Sequence, residues 1–150
     1  MRGVKLSDRE RVCSMAYLAL KKNLLVDDDK DVVKSLSRYL KRRGYHVSTA
    51  MSGKEALKLM EVETPDLVLL DALMPEMDGI ETLEQIRERF PKADVVMISA
   101  LKEEVVAREA IKMGAKEWLP KPFSLEQLES NILLQFLYHK AQDQTEKSLD

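Results

Sequence analysis

The sequence predicts an α/β protein: a doubly wound, five-stranded parallel sheet with helices on both faces. Three observations predict it. Asp66 to Leu70 and Asp94 to Ile98 are short, almost wholly apolar runs, as strands buried on both faces are. Stretches of helical period lie between such runs, and every connection is short, which calls for parallel strands joined by helical crossovers. Several runs end in a polar or charged residue, and right-handed crossovers bring those ends to one edge of the sheet.

The elements follow in order. Ser7-Asp8-Arg9-Glu10 is a capping box, and Val12, Met15, Ala16, Ala19 and Leu20 repeat at helical spacing, so an amphipathic helix is expected from residue 8 to about 21. Its apolar stripe suits either its own domain or a partner helix. Asn23 to Val26 is the first strand, ending in Asp27, Asp28 and Asp29. A helix carrying Val32, Val33, Leu36 and Leu40 on one face runs to Gly44, with Asp29 or Asp31 as its N-cap. Tyr45 to Ala50 is the second strand. Ser52 and Glu55 box the start of a helix carrying Ala56, Leu57, Leu59 and Met60, and Pro65 closes the connection. The third strand delivers Asp71, and a loop bounded by Pro75 and Gly79 leads to a helix from about Ile80 to Phe90. The fourth strand delivers Ser99. A helix from about Glu103 to Met113 follows, with Val106, Ala110 and Ile111 inward and Gly114 beyond its end. Glu117 to Lys121 is the fifth strand, and Ser124 with Gln127 caps a last helix striped by Leu125, Leu128, Ile132, Leu133 and Phe136. This divides the chain into an N-terminal extension (1–22), a domain (23–140) and a polar tail (141–150).

Composition excludes several classes. With 150 residues, 45% hydrophobic and 33% charged, there is one core's worth of chain. A net charge of −2, with no basic block longer than Lys41-Arg42-Arg43, argues against direct nucleic-acid binding. One cysteine, Cys13, and two histidines leave no disulfide and no Cys/His zinc site, and they fit a reducing cytoplasm. Val12 to Leu20 is too short to span a bilayer, and no export signal is evident, so a soluble protein is expected.

The predicted strand edge gathers Asp27, Asp28, Asp71, Ser99 and Lys121. Each has a bland reading alone: the aspartates as caps or turn residues, Ser99 as a turn residue, Lys121 as a solvated lysine. Together they carry more. Three carboxylates on one edge repel, and a divalent cation such as Mg2+ removes the conflict while leaving room for a phosphoryl group. Lys121 and the Ser99 hydroxyl would stabilise phosphoryl oxygens, so the set is equipment for phosphoryl transfer to Asp71.

The segments Leu24-Leu25-Val26-Asp27-Asp28, Asp71-Ala72-Leu73-Met74-Pro75-Glu76-Met77-Asp78-Gly79, Val95-Val96-Met97-Ile98-Ser99-Ala100 and Lys121-Pro122-Phe123 resemble, in order and spacing, the receiver domain of bacterial two-component response regulators. The resemblance covers about residues 22 to 137. It implies the flavodoxin-like (βα)5 fold with strand order 2-1-3-4-5. It further implies that Asp71 takes a phosphoryl group from a histidine kinase or phosphotransfer protein, and that Asp27, Asp28, Asp71 and the backbone carbonyl of Leu73 hold Mg2+. Ser99 then stands at the switch hydroxyl and Lys121 at the site lysine, whose bond to Pro122 is usually cis. Trp118 stands where the family usually has a smaller aromatic that swings inward; it reads equally as core or interface surface. The readout surface would be the fourth helix, fifth strand and fifth helix, addressed to an output domain or partner protein, with a homodimer among the options. Leu73 and Leu101 would flank the pocket and restrict an attacking water.

Three other readings compete with this one. An aspartyl phosphatase needs an acid two residues after its nucleophile, where Leu73 stands. A pseudo-receiver would lack one of the site residues, and none is missing. A flavodoxin-like cofactor binder needs a Ser/Thr-rich phosphate loop where three aspartates stand. The expected protein is a switch and not a metabolic enzyme.

Overall fold

The computed structural model describes residues 7–9, 22–74, 78–100 and 104–131. Strands β1 (Lys22–Val26), β2 (His46–Ala50), β3 (Leu67–Asp71), β4 (Asp94–Ser99) and β5 (Glu117–Pro120) alternate with helices α1 (Lys30–Arg42), α2 (Gly53–Val62), α3 (Gly79–Arg89) and α4 (Glu104–Lys112). A last helix, α5, is described from 125 to 131. All strand pairs are parallel and the order is β2-β1-β3-β4-β5. Residues 8 and 9 are helical. The rest of the expected N-terminal helix, with Cys13, the end of the expected last helix, with Ile132, Leu133 and Phe136, and the polar tail (141–150) lie outside the described residues.

Period-two alternation along the strands divides the core between the two faces of the sheet. On one face Leu24, Val26, Val68, Leu70, Val95 and Met97 pack against Leu57 and Met60 of α2, Leu83 and Ile86 of α3 and Ala110 of α4. On the other, Leu25, Leu69, Val96 and Ile98 pack against Val33, Leu36 and Leu40 of α1 and Leu128 of α5. β3, central in the sheet, is buried at every residue, including Asp71.

Helix ends follow the expected chemistry with local adjustments. Asp29 is the N-cap of α1, its carboxylate accepting from the Asp31 and Val32 N–H groups. Beyond Arg43, Gly44 adopts φ +94°, and its N–H donates to the Lys41 carbonyl. At α2 the Ser52 hydroxyl accepts from the Glu55 N–H, while the Glu55 side chain reaches the Met51 N–H, one residue beyond the usual box. Ser124 and Gln127 form the full reciprocal box. Three stripe residues face outward: Leu59 is 37% exposed, Ile111 44% and Leu125 37%. Leu59 and Ile111 lie at the margin of their stripes, next to Met60 and Ala110, which take the buried position.

Candidate functional site

Parallel pairing sets the site in register. Val26 pairs with Leu70, Asp71 with Ile98 and Ser99 with Pro120, so the residues following β1, ending β3 and β4 and following β5 converge on one edge. Asp27 and Asp71 are buried there and Asp28 is exposed; one carboxylate oxygen from each lies within 4.8 Å of the others. The Lys121 ammonium is 3.0 Å from Asp27 Oδ2 and 3.7 Å from Asp71 Oδ2. Ser99 is fully buried at the same edge, and its carbonyl accepts from the Lys121 N–H at 2.7 Å, tying β4 to the start of the last loop. The Lys121–Pro122 bond is cis.

Backbone groups orient both buried carboxylates. Asp27 Oδ1 accepts from the Asp29 N–H at 3.0 Å, and Asp71 Oδ1 accepts from the Leu73 N–H at 3.2 Å. Burial, opposed by the Leu73 N–H and reinforced by the neighbouring Asp27 charge, pushes Asp71 up to about 6. Burial works against the Lys121 ammonium, but Asp27 and Asp71 outweigh it and hold the group charged, above its ordinary range. Three carboxylates against one ammonium leave an excess of negative charge at a place rich in hard oxygen ligands, and that donor set suits Mg2+.

Five residues expected from the sequence, Asp27, Asp28, Asp71, Ser99 and Lys121, are thus brought together. Leu73 is adjacent and 48% exposed. Leu101 lies outside the described residues. Trp118 is half-buried on β5 and packs against the core face that carries α2, α3 and α4.

Two features escaped the sequence reading. Gly79 reads there only as the end of a loop, yet it packs directly on the backbone of Asp71 and Ala72. Glu129 is not singled out there, yet it is 6% exposed and accepts hydrogen bonds from the Tyr39 and Tyr45 hydroxyls and from Arg43.

Comparison with known proteins adds independent findings. Residues 24–133 match the family model described as the response regulator receiver domain. The chain is 39% identical over 112 residues to the alkaline phosphatase synthesis transcriptional regulatory protein PhoP of Bacillus subtilis, covering 75% of this chain and 47% of that one. It is 42% identical over 106 residues to the response regulator MprA of Mycolicibacterium vanbaalenii, covering 70% and 46%. It therefore spans about half the length of the curated relatives it matches. Among solved structures, the receiver domain of the Francisella response regulator 1452 superposes with a TM-score of 0.71 at 33% identity, covering 78% of this chain and 98% of that one. A chain of the CheX–CheY–BeF3–Mg2+ complex of Borrelia burgdorferi superposes with a TM-score of 0.73 at 34% identity, covering 77% and 89%.

Proposed function

This chain belongs to the response regulator receiver domain family, and on that premise we propose that Asp71 is its phosphoacceptor in a two-component phosphorelay. The observation that carries the proposal is the juxtaposition of a buried Asp71 with Asp27, Asp28 and the Lys121 ammonium. A carboxylate oxygen of Asp71 attacks the phosphorus of a donor phosphohistidine; the new O–P bond forms as the P–N bond breaks, and the electron pair stays on the donor imidazole. The Leu73 N–H holds the other carboxylate oxygen and so aims the nucleophile. Lys121 and the Ser99 hydroxyl stabilise the transferred phosphoryl oxygens. Asp27, Asp28, Asp71 and the Leu73 carbonyl would hold Mg2+, which supplies positive charge against the carboxylates and the incoming phosphoryl group.

Once the phosphoryl group is in place, its contacts to Ser99 and Lys121 favour one of two conformations of the surface made by α4, β5 and α5, with Trp118 on β5. That surface addresses an output domain or a partner protein, or a second copy of the chain. An apolar groove of about 530 Å³ between α1 and the start of α5, lined by Val32, Leu36, Phe123 and Leu125 with Lys121 at its edge, offers the histidine kinase or phosphotransfer protein a surface beside Asp71. The working unit is residues 23–140, with 1–22 an extension and 141–150 a tail. The cytoplasm is where such a donor would meet it; among the described residues no helix is long and apolar enough to cross a membrane.

The test is intact mass after incubation with acetyl phosphate, with and without Mg2+. A single Mg2+-dependent phosphoryl adduct, mapped to Asp71 by borohydride reduction and peptide sequencing, supports the proposal. No adduct from acetyl phosphate or phosphoramidate in saturating Mg2+ overturns it. A second expectation concerns lifetime: half-exposed Leu73 beside the acceptor restricts the hydrolytic water, so Leu73→Asn should lose its phosphoryl group about tenfold faster. Equal decay of the two adducts would remove Leu73 from that role.

A further inference from the structure

We propose that Gly79 is a positioning residue for the acceptor: the first turn of α3 rests on the Asp71–Ala72 backbone, and only a residue without a side chain permits that approach. A Cβ built at Gly79 would lie 2.2 Å from the Asp71 carbonyl oxygen, 2.4 Å from the Ala72 Cα and 2.9 Å from the Asp71 carbonyl carbon. All three are backbone atoms, which cannot swing aside as a side chain can. The Gly79 N–H also donates to the Ala72 carbonyl at 3.1 Å. From the other side the Ala72 N–H donates to the Ile98 carbonyl of β4 at 2.9 Å. The peptide after Asp71 is therefore held between β4 and α3, while the Leu73 N–H fixes the Asp71 carboxylate two residues on.

The helix that does the holding is itself fastened at its first turn. Asp78 is its N-cap, accepting from the Glu81 N–H at 2.8 Å, and the Thr82 hydroxyl donates to the Asp78 carbonyl at 2.8 Å. Its buried Leu83 and Ile86 anchor the rest of α3 in the core. Displacing the first turn by the width of a methyl group moves the Asp71–Leu73 backbone. That shifts the nucleophile relative to Lys121 and Asp27, and shifts the Leu73 carbonyl with it. A misplacement of that size is enough to slow a positioned reaction by on the order of a hundredfold.

This inference rests on the phosphoacceptor reading. The test is the rate of adduct formation with phosphoramidate across a Mg2+ series, for the native chain, Gly79→Ala, Leu83→Ala and Asp78→Ala, with urea unfolding of each. Gly79→Ala is expected to react on the order of a hundredfold slower even at saturating Mg2+. Leu83→Ala destabilises the same helix from the core, leaves the contact at Gly79 intact, and should keep a near-native saturating rate while folded. Equal saturating rates for Gly79→Ala and the native chain, or equal losses in Gly79→Ala and Leu83→Ala, overturn the proposal. If Gly79→Ala does not fold, Asp78→Ala decides: it unfastens the first turn without adding an atom near Asp71, and an unchanged saturating rate refutes the positioning role. A native chain that forms no adduct refutes the phosphoacceptor reading itself, and the inference falls with it.

Discussion

An Asp71→Asn chain is expected to form no phosphoryl adduct and, in metal-free buffer at pH 7, to be more stable than the native protein. The first part follows from chemistry, because an amide oxygen is not a nucleophile for phosphorus under these conditions. The second follows from linkage. Burial raises the Asp71 carboxyl in the folded chain to about 6, against 3.8 when unperturbed. A carboxyl raised on folding favours the native state while it is protonated. That contribution is complete below the unfolded value near 4 and is lost as pH climbs through about 6. Across that window the native chain should give up about 3 kcal/mol, an order-of-magnitude figure from the size of the rise. Asn at the same place does not ionise, so its urea-unfolding profile should be flatter between pH 4 and 7. Mg2+ should restore stability to the native chain at pH 7 and do little for the variant, because ligand binding to the folded state alone adds stability. A native chain no less stable at pH 7 than Asp71→Asn, in chelator, would show that the carboxylate cluster carries no strain.

The same residue shows why so much of the site was legible in the sequence. Asp71 follows the apolar Leu67–Leu70 run, and parallel topology leaves no freedom about which end of a strand faces the active edge. Asp27, Ser99 and Lys121 follow from the same rule applied to three other strands. Such residues are readable because strand order and handedness place them with no knowledge of side-chain packing. Gly79 and Glu129 obey no comparable rule. The approach of Gly79 depends on how closely α3 crosses the end of β3, a packing distance with no periodic signature in the sequence. Glu129 stands four residues after Leu125 and three before Ile132, so helical period places it inside the apolar stripe, but nothing nearby in the sequence says what would satisfy a carboxylate there. Its partners Tyr39, Arg43 and Tyr45 lie more than 80 residues away, and no local pattern announces their convergence. Leu59 and Ile111 fail in the opposite sense. Their apolar character matches an inward stripe, but each helix offers the sheet a narrower strip than its apolar residues could cover.

Glu129→Leu is expected to destabilise the chain by about 3 kcal/mol in urea unfolding at pH 7. The carboxylate accepts from the Tyr39 hydroxyl at 3.1 Å, from Arg43 at 2.9 Å and from the Tyr45 hydroxyl at 3.1 Å, and with them joins α5 to α1 and the entry to β2. Losing the acceptor does not cost the same at each donor. Arg43 is 43% exposed at its side chain and can return to water, so its share is small. Tyr45 is 5% exposed and has no such recourse; burial and the Glu129 charge already hold its phenol well above the ordinary range. An unpaired buried hydroxyl there costs about 1–3 kcal/mol. The magnitudes therefore order the variants. Glu129→Gln keeps an acceptor oxygen and nearly the same volume and should cost less than half as much as Glu129→Leu. Tyr45→Phe in the Glu129→Leu background should recover part of the loss, because it removes the orphaned donor, although Tyr45→Phe alone destabilises. A double-mutant cycle reads this as a coupling between residues 45 and 129 of about 1 kcal/mol or more. Additive effects would mean that the Tyr45 hydroxyl finds another partner when Glu129 is gone, and that α5 is held to α1 by Leu128 and its apolar neighbours alone.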